Sequence, residues 1–262
     1  MGPTLVTGGT GALGRAVVRQ LLRNGQPVRI LSRDSRPAGW AEGTQWVTGD
    51  LRTGAGLTEA VGDVTRIIHC GTSTRSGVDV GGTNRLIEAI GAARPHLIYV
   101  SIVGIDQIPL GYYRRKVRAE QIVAHSGLPW TIQRATQFHD LLRHMSQLTS
   151  RSPVTPVLSG IRFQPVDVRD LAERLLSFAG PARRAPDFGG PQILTGIEIV
   201  QAYLRAAGRR RVLLPVRLPG KTGRAYRQGA NLAPEHAEGR RTFAEHLAEF
   251  VSPGRRSLPY RL

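Results

Sequence analysis

The sequence has little of several features that characterise secreted and membrane proteins. Only one of its 262 residues is a cysteine, Cys70, so no disulfide can form within the chain and a reducing compartment suits it. It contains no run of about eighteen apolar residues, which argues against a membrane span. The N-terminus enters Leu5 and Val6 without a basic leader and cleavage site, so we expect no secretory signal. These absences predict a cytoplasmic protein with no membrane partner.

Acidic residues are also few, with 19 Asp and Glu against 36 Lys and Arg, and the net charge is +17. The cations are almost all arginine, since only Lys116 and Lys221 are lysines. The arginines are spread along the chain without a zinc spacing, a basic zipper or an RNA-binding aromatic signature, which argues against a nucleic-acid partner. We attribute the positive charge to an arginine-rich composition combined with a site for a phosphate-bearing ligand. A lysine at a particular position then indicates that a guanidinium would not serve there.

The first stretch of the chain carries the pattern around which the rest is organised. A short apolar run ends at a cluster of glycines, and helical periodicity begins at once, which predicts a buried strand, a tight turn and a helix N-terminus. Gly8 can take a backbone conformation closed to other residues, Gly11 lets a diphosphate approach the main chain, and Gly14 lets the helix pack close to the sheet. Free N–H groups of the first helical turn, helped by the helix dipole, then hold the phosphates. The stretch predicts dinucleotide binding.

Strands and helices alternate along the first part of the chain. Apolar runs predict strands at about 27–31, 45–47, 65–69, 96–101 and 128–134, and helical periodicity predicts helices at about 79–93, 111–126 and 139–148. Such an alternation predicts a parallel sheet with right-handed crossovers. The expected fold class is therefore α/β, a Rossmann-type doubly wound parallel sheet with a small C-terminal substrate-binding region.

No internal repeat or linker divides the sequence, so we predict a single domain over residues 1–262. We expect residues 1–150 to form the dinucleotide-binding core and residues 151–262 to form a mixed C-terminal part. In this part we expect strands at 161–167, 188–194 and 212–216 and helices at 171–178, 196–207 and 243–250. Residues 221–241 form a polar, Arg- and Gly-rich stretch.

The end of the second strand indicates which nucleotide is bound. An acidic residue there favours NAD by binding the ribose 2′-hydroxyl. Here Ser32 and Arg33 come first and Arg36 lies nearby, which suits a 2′-phosphate. Asp34 comes one position late and could equally pair with an arginine. The pattern favours NADP(H) over NAD(H), and solvated loop arginines are the alternative interpretation.

A candidate proton donor follows the fifth strand. A nicotinamide enzyme needs such a group beside the atom that receives hydride, and a tyrosine can serve if a neighbouring ammonium lowers the pKa of its phenol. Tyr112 and Lys116 are four residues apart at a predicted helix start, hence on one face. The Lys116 ammonium can also reach the nicotinamide ribose hydroxyls. A surface tyrosine and lysine at helical spacing is the alternative interpretation.

Taken together, these residues resemble the short-chain dehydrogenase/reductase superfamily, specifically its atypical, NmrA-like NAD(P)H-binding branch. The resemblance covers roughly the first 180 residues. It includes the glycine turn, Gly49-Asp50-Leu51, Ser101, Tyr112 with Lys116, the segment 126–132 and the segment 165–170. It implies that Ser101 orients the substrate carbonyl by a hydrogen bond, that residues 1–150 form an NADP-binding core, and that residues 151–262 shape the substrate pocket.

The resemblance also implies where the cofactor lies. Asp50 would lie by the adenine, the Gly71-Thr72 loop would line the cofactor, and the segment from Ala135 to Phe138 would cover the nicotinamide. The predicted cofactor-binding residues are Thr7, Gly8, Thr10, Gly11, Ala12, Leu13, Gly14, Ser32, Arg33, Arg36, Asp50, Leu51, Cys70, Gly71, Thr72, Lys116, Ala135, Thr136 and Phe138. The predicted catalytic residues are Tyr112, Lys116 and Ser101.

The predicted activity is that of an NADPH-dependent reductase acting on a carbonyl or conjugated double bond of a small organic substrate, such as a secondary metabolite. Many NmrA-like proteins lack the catalytic tyrosine and serve as redox sensors, regulators or structural subunits, so a non-catalytic NADP(H)-binding regulator is one alternative. An isomerase or cyclase without net redox chemistry is another. The sequence does not determine the oligomeric state and is compatible with a homo-oligomer.

Four further polar residues or pairs have alternative roles. Tyr113 is a rival proton donor, about 100° round the helix from Tyr112. His139 is either an acid–base group or, more simply, a cap or surface residue. Cys70 is a nucleophile or a small buried side chain, and the second is favoured. Asp167 and Asp170 are expected to cap the following helix, and no metal site is predicted.

Overall fold

The computed structural model describes residues 2–40, 42–73 and 78–252, and its centre is a seven-stranded sheet whose neighbouring strands are all parallel. The strand order is β3-β2-β1-β4-β5-β6-β9. The strands are β1 Thr4–Thr7, β2 Val28–Ser32, β3 Thr44–Thr48, β4 Arg66–His69, β5 His96–Ile102, β6 Trp130–Ala135 and β9 Arg183–Arg184. The order reverses next to β1, which confirms the predicted doubly wound parallel sheet.

Helices cover both faces of this sheet because its strands carry apolar side chains on both sides. Along β1, Leu5 packs into the core on one face and Val6 into the core on the other. The Val6 face is covered by α1 (Ala12–Arg23) and α6 (Val168–Leu176), and the Leu5 face by α2 (Leu57–Val61), α3 (Thr83–Ile90) and α4 (Gly111–Ala124). Each fully buried Leu, Ile or Val contributes about 1.5–3 kcal/mol.

One helix is shorter than its periodicity predicts. The sequence predicts a helix from about 79 to 93, whereas α3 spans Thr83–Ile90 and is preceded by a turn of π-helix, Val78–Gly82. Gly91 ends α3 with φ of +57°, a conformation that favours glycine. The wide π-helical turn buries the side chain of Asp79 completely.

The C-terminal part forms two small sheets and a helical cluster. Strands β8 (Arg162–Phe163) and β10 (Leu194–Thr195) pair antiparallel, and β7 (Val154–Leu158) and β11 (Val212–Val216) pair parallel. The helices are α5 His139–Thr149, α7 Gly196–Ala206, α8 Gly220–Arg227 and α9 Phe243–Phe250, with one turn of 3₁₀-helix at Pro234–His236.

Several expectations for this part were wrong in extent. The predicted strand at 161–167 is reduced to the two residues of β8. Further along, Val166 forms only an isolated bridge with Phe138. The predicted strand at 188–194 is also absent, since Phe188 only bridges to Ala135 and regular pairing starts at Leu194. Neither β7 nor α8 was predicted, because Pro156 interrupts the first pattern and α8 is rich in glycine and arginine. No helix in the described ranges is long and apolar enough to cross a membrane.

Asp167 joins three helices of this part. Its side chain caps α6 by accepting a hydrogen bond from the Arg169 amide, as predicted, and both of its oxygens accept from the Arg169 guanidinium. His139 at the start of α5 and His246 in α9 each place Nδ1 within 3.7 Å of its Oδ2. Asp170 is not a cap, since it accepts hydrogen bonds from the backbone of Arg240 and Arg241 before α9.

We expect Asp167→Asn to reduce the free energy of unfolding by about 1.5–3 kcal/mol, because it weakens the charged hydrogen bonds from Arg169, whose guanidinium keeps Glu249 as its remaining charge partner. Arg169 hydrogen bonds hold the pKa of Asp167 well below its usual value. This contribution is therefore complete above pH of about 4 and declines as the pH falls below it. Urea unfolding at neutral and acidic pH measures both effects.

The matched control is Thr195→Ala, which removes a cap at α7 without breaking an ion pair. We expect it to cost about 1 kcal/mol. Equal losses in the two variants would show that Asp167 acts only as a cap.

Candidate active site

A cleft with a volume of about 330 Å³ opens at the carboxyl ends of the central strands. Open parallel sheets bind ligands at this edge, where the strand order reverses. The predicted cofactor residues that line the cleft are Gly8, Thr10, Gly11, Ser32, Arg33, Asp50, Leu51, Cys70, Gly71 and Thr72. Leu31, Asp34, Gly49, Arg52, Ser73 and Val78 line it as well.

The glycine turn is shaped to hold a phosphate group. Gly8 has φ of +66°, and a Cβ on Gly14 would lie 2.1 Å from the Gly8 carbonyl oxygen, so α1 starts directly against the turn. The space beside Gly11 is open apart from that same oxygen at 3.4 Å. Gly11 provides no side-chain cap, and the first turn of α1 contains no acidic residue. Its N–H groups and the helix dipole are therefore directed at whatever occupies the cleft.

Other predicted cofactor residues lie outside the cleft lining. Thr7 is buried behind it, where its Oγ1 contacts His69 Nδ1 at 2.6 Å and accepts from the Gly71 amide. Thr136 is buried and donates to the Gln164 carbonyl. The remaining predicted residues outside the lining are Ala12, Leu13 and Gly14 in α1, Arg36 after β2, Lys116 in α4, Ala135 at the end of β6 and Phe138 before α5. Their cofactor roles stay predictions.

At the far end of the cleft, Ser32 and Arg33 lie beside Asp34. The Asp34 amide donates to Ser32 Oγ at 3.3 Å, which shapes the turn after β2. The Arg33 side chain is exposed, and Arg36 donates to the Trp40 carbonyl. Asp50 fixes the neighbouring loop by accepting from the Arg52 amide at 2.8 Å. Arg33, which would favour a 2′-phosphate, and Asp34, which would favour a 2′-hydroxyl, are thus adjacent residues in the cleft lining.

At the other end of the cleft, a chain of hydrogen bonds leads away from the sheet. Thr72 lines the cleft, and its Oγ1 lies 2.8 Å from the Tyr112 hydroxyl at the start of α4. The same Oγ1 donates to Asp79 Oδ1 at 2.6 Å. Thr72 thereby connects the predicted nucleotide cleft to the predicted proton donor.

Lys116 does not contact Tyr112 in this arrangement. Its Nζ donates to the Val100 carbonyl at 2.8 Å, lies 3.7 Å from Asp79 Oδ1 and sits 4.3 Å from the centre of the Tyr99 ring. Burial lowers the pKa of the Lys116 ammonium, and the Asp79 carboxylate opposes that effect. The charge of Lys116 is therefore directed at Asp79.

In this structure the Lys116 ammonium pairs with Asp79, and its effect on the pKa of Tyr112 stays a prediction. Burial raises the pKa of the Tyr112 phenol to about 12, with a further increase from the Asp79 carboxylate, while Arg115 acts in the opposite direction. Asp79 Oδ1 lies 2.6 Å from Thr72 Oγ1 and 3.7 Å from Lys116 Nζ, so the carboxylate counters the positive charge of the ammonium near Tyr112. Near neutral pH the phenol stays protonated.

Ser101 lies in β5, one strand further along the sheet. Its side chain is buried, and its Oγ has no hydrogen-bond partner among the described residues. Leaving a buried hydroxyl unpaired costs about 1–3 kcal/mol. A substrate carbonyl would satisfy this hydroxyl, and its role as orienting group stays a prediction.

Tyr113 points away from the cleft into an apolar cluster. Its hydroxyl lies 3.1 Å from that of Tyr226 in α8, and its ring packs among Ile105, Ile108 and Ala225. Burial raises the pKa of the Tyr113 phenol well above its usual value. Residues 221–241, which we expected to be a polar stretch, therefore contribute Ala225 and Tyr226 to the apolar cluster that Tyr112 packs against.

The other two polar candidates do not supply reactive groups to the cleft. Cys70 lines it, but burial raises the pKa of its thiol to about 12, so the thiol is protonated at neutral pH. His139 is neither a surface residue nor a lining residue, because its ring is fully buried against Phe243 and its Nε2 bonds the Pro165 carbonyl.

His139, Asp167 and His246 together place three potential metal ligands within 4.8 Å of one another. The Arg169 guanidinium already donates to both oxygens of Asp167, at 2.9 and 2.8 Å. A metal ion would place a second cation against the same buried carboxylate. Without a further anion nearby, that extra positive charge would be unfavourable in a buried site. The cluster is best described as a buried charged contact between α5, α6 and α9.

Sequence reasoning missed Asp79, which joins Thr72 to Lys116. The only available signal was an acidic residue at the start of an otherwise apolar and glycine-rich segment, 78–82. A helix start explains such a residue equally well, because aspartate is favoured there. The π-helical turn that buries it is not visible in the sequence.

Comparisons with known proteins agree with this geometry. A family model described as NAD(P)H-binding matches residues 8–159. An NAD(P)H azoreductase of Xenophilus azovorans is 28% identical over 211 residues, covering 78% of this chain and 74% of the relative. A (4-alkanoyl-5-oxo-2,5-dihydrofuran-3-yl)methyl phosphate reductase of Streptomyces griseus is 30% identical over 212 residues, with the same coverage of both chains.

A solved structure shares the fold. An NADPH-dependent quinone oxidoreductase of Escherichia coli, determined in complex with NADPH, superposes with a TM-score of 0.78 at 18% identity. The alignment covers 94% of this chain and 99% of that one.

We expect Gly14→Ala to weaken dinucleotide binding at least tenfold, because the new Cβ would meet the Gly8 carbonyl and force the turn away from α1. Isothermal titration with NADPH measures the loss. Gly62→Ala is the matched control, since its Cβ would meet its nearest atom at an ordinary 3.6 Å. Unchanged affinity in Gly14→Ala would remove the glycine turn from the binding site.

Proposed function

Because this chain belongs to the NAD(P)H-binding family, we propose that it is an NADPH-dependent reductase acting on a carbonyl or conjugated double bond of a small organic substrate. The observation that carries the proposal is the position of Thr72. This residue lines the cleft at the glycine turn and contacts the Tyr112 hydroxyl at 2.8 Å. A hydride donor bound in the cleft and a proton donor on α4 would therefore meet at one place.

The residues of the cleft suit a dinucleotide. Backbone N–H groups at Gly11 and the first turn of α1 would hold the diphosphate, and Asp50 and Leu51 would flank the adenosine half. The bound cofactor would supply a hydride from its reduced nicotinamide. The protein's own contribution is to fix the substrate and to protonate the atom that becomes negative.

Arg33 supports NADPH as the preferred nucleotide. Its exposed guanidinium borders the cleft at the end of β2, where the ribose of a bound dinucleotide lies in this fold. A guanidinium can make charge-assisted hydrogen bonds to a 2′-phosphate. Asp34 on the same wall would favour a 2′-hydroxyl, so the preference depends on which side chain faces the ribose.

Tyr112 is the proposed acid. A phenol with a pKa of about 12 carries its proton throughout the neutral range. It would hydrogen-bond the substrate oxygen and transfer the proton as negative charge develops there, while Ser101 would orient the same oxygen. Lys116 would act on this group only through Asp79.

The names of the relatives support the substrate class. One relative is named for reduction of an azo compound and another for reduction of an unsaturated furanone phosphate. Both substrates contain a conjugated, electron-poor π system that accepts hydride. We therefore expect activity on quinones, enones or azo compounds in preference to simple ketones.

We expect Tyr112→Phe to lower kcat at least a hundredfold while leaving NADPH affinity within a factor of about two, because it removes a proton but no cofactor contact. NADPH oxidation with a panel of quinones, enones and azo compounds measures turnover. Tyr113→Phe is the matched control and should retain activity, since its hydroxyl faces Tyr226. Full activity in Tyr112→Phe would reject the role of this tyrosine. Binding without any turnover by the native protein would favour a non-catalytic regulator.

We expect Arg33→Ala to raise the Kd for NADPH about tenfold and to leave the Kd for NADH unchanged, because only NADPH presents a 2′-phosphate. Fluorescence titration with both nucleotides gives the two constants. Arg19→Ala, on the exposed side of α1, removes the same charge away from the cleft and serves as control. Equal loss of both nucleotides would contradict the assignment.

A further inference from the structure

Resting on the proposed function, we infer that Thr72 and Asp79 are positioning residues that fix the Tyr112 hydroxyl as a hydrogen-bond donor. The phenol thereby stays protonated in the free site, and its one proton must turn from Thr72 to the substrate oxygen when Tyr112 acts as the acid. Neither residue was assigned such a role by the sequence pattern of Tyr112 and Lys116.

The direction of the hydrogen bonds follows from the groups involved. An ionised carboxylate only accepts, and a threonine hydroxyl has a single proton to donate. Thr72 donates that proton in its hydrogen bond to Asp79 Oδ1, at 2.6 Å. Its Oγ1 must then accept at the 2.8 Å contact with Tyr112, so the phenol is the donor. A phenolate at Tyr112 would face a lone pair of Thr72 and would be destabilised.

The negative charge of Asp79 is held in place by burial and by one cation. Asp79 is fully buried in the π-helical turn, and the Lys116 ammonium lies 3.7 Å from its Oδ1. Its Oδ2 has no hydrogen-bond partner in the described part of the chain. Lys116 is the cation that faces this carboxylate. In turn, Asp79 prevents the ammonium from stabilising a phenolate.

The surroundings of Tyr112 and Asp79 contain other titratable and charged groups, from β4, β5 and α4. They are His69, Cys70, Tyr99, Arg115, Lys116 and Glu120. Burial lowers the pKa of His69 to about 3 and raises that of Cys70 to about 12, and it raises the pKa of Tyr99 well above its usual value. These three groups are therefore neutral near pH 7.

Of the charged neighbours from α4, Arg115 acts on Tyr112 and Glu120 acts on Lys116. Arg115 lies 5.8 Å from the centre of the Tyr112 ring and favours the phenolate, whereas Glu120 lies on the side of Lys116. Replacing Asp79 by asparagine would reverse the arrangement. The amide can donate to Thr72, which frees the threonine proton for Tyr112, and the Lys116 ammonium is no longer neutralised. Both changes stabilise the phenolate.

Tyr112 ionisation can be measured without turnover. The near-ultraviolet absorbance of tyrosinate is recorded against pH for the native protein and for Tyr112→Phe, and the difference isolates Tyr112. We expect native Tyr112 to ionise above the usual range of tyrosine. In the Asp79→Asn background, the same difference should appear at least one pH unit lower. Asp63→Asn is the control, because it removes an exposed carboxylate that pairs with Arg29 and does not line the cleft.

Thr72 variants keep the inference testable if Asp79→Asn folds poorly. Thr72→Val removes the acceptor for the phenol, so Tyr112 loses its fixed orientation, and Thr72→Ser should restore it. We expect kcat to fall about tenfold in Thr72→Val and to recover in Thr72→Ser, with the alkaline limb of the kcat profile following the tyrosinate titration.

Each outcome separates this inference from the proposed function. Identical Tyr112 titrations in the native, Asp79→Asn and Thr72→Val proteins would overturn the inference and leave the reductase proposal intact. Native ionisation of Tyr112 below the usual tyrosine range would also overturn it. Full activity in Tyr112→Phe would instead reject Tyr112 as the acid, whatever its titration shows.

Discussion

The structure depends on a close approach between two backbone segments, the turn at Gly8 and the first turn of α1. Gly14 packs so near the Gly8 carbonyl that a methyl group would have no space. This contact sets the start of α1 against the end of β1, at the position where the sheet order reverses. The N-terminus of α1, the ends of β2 and β3, and the loop after β4 then border one cleft. A ligand phosphate there would meet several backbone donors that need no rearrangement.

Within that frame, the chemistry of the site depends on how a few buried charges are paired. Asp79 and Lys116 form a buried ion pair between the π-helical turn and α4, and Thr72 extends it to Tyr112. Such pairs contribute little net stability, but removing one partner is costly. These contacts join the four side chains into one connected set. A second buried set around Asp167 has a structural role and attaches α9 to α5 and α6.

Sequence reasoning predicted the parts of the molecule that local patterns determine. Buried strands with uninterrupted apolar runs and a glycine turn predicted the parallel sheet and its nucleotide cleft, and the family resemblance and the oxidoreductase class were confirmed. The pairing of Lys116 could not be predicted, because Asp79 is 37 positions away and meets it only through the π-helical turn. The same holds for His139, whose burial depends on α9, more than a hundred residues later. Short strands such as β8 and β10 also lack a local signal, since their pairing partners are remote.

The state of Cys70 has a consequence for the kind of molecule that the cleft can accept. Thiolates add readily to electrophilic quinones and enones, and they do so in proportion to the thiolate fraction. With a pKa of about 12, the one sulfhydryl of this chain is almost entirely un-ionised at neutral pH, although it borders the cleft. The protein can thus expose its binding site to alkylating compounds with little risk of covalent self-inactivation.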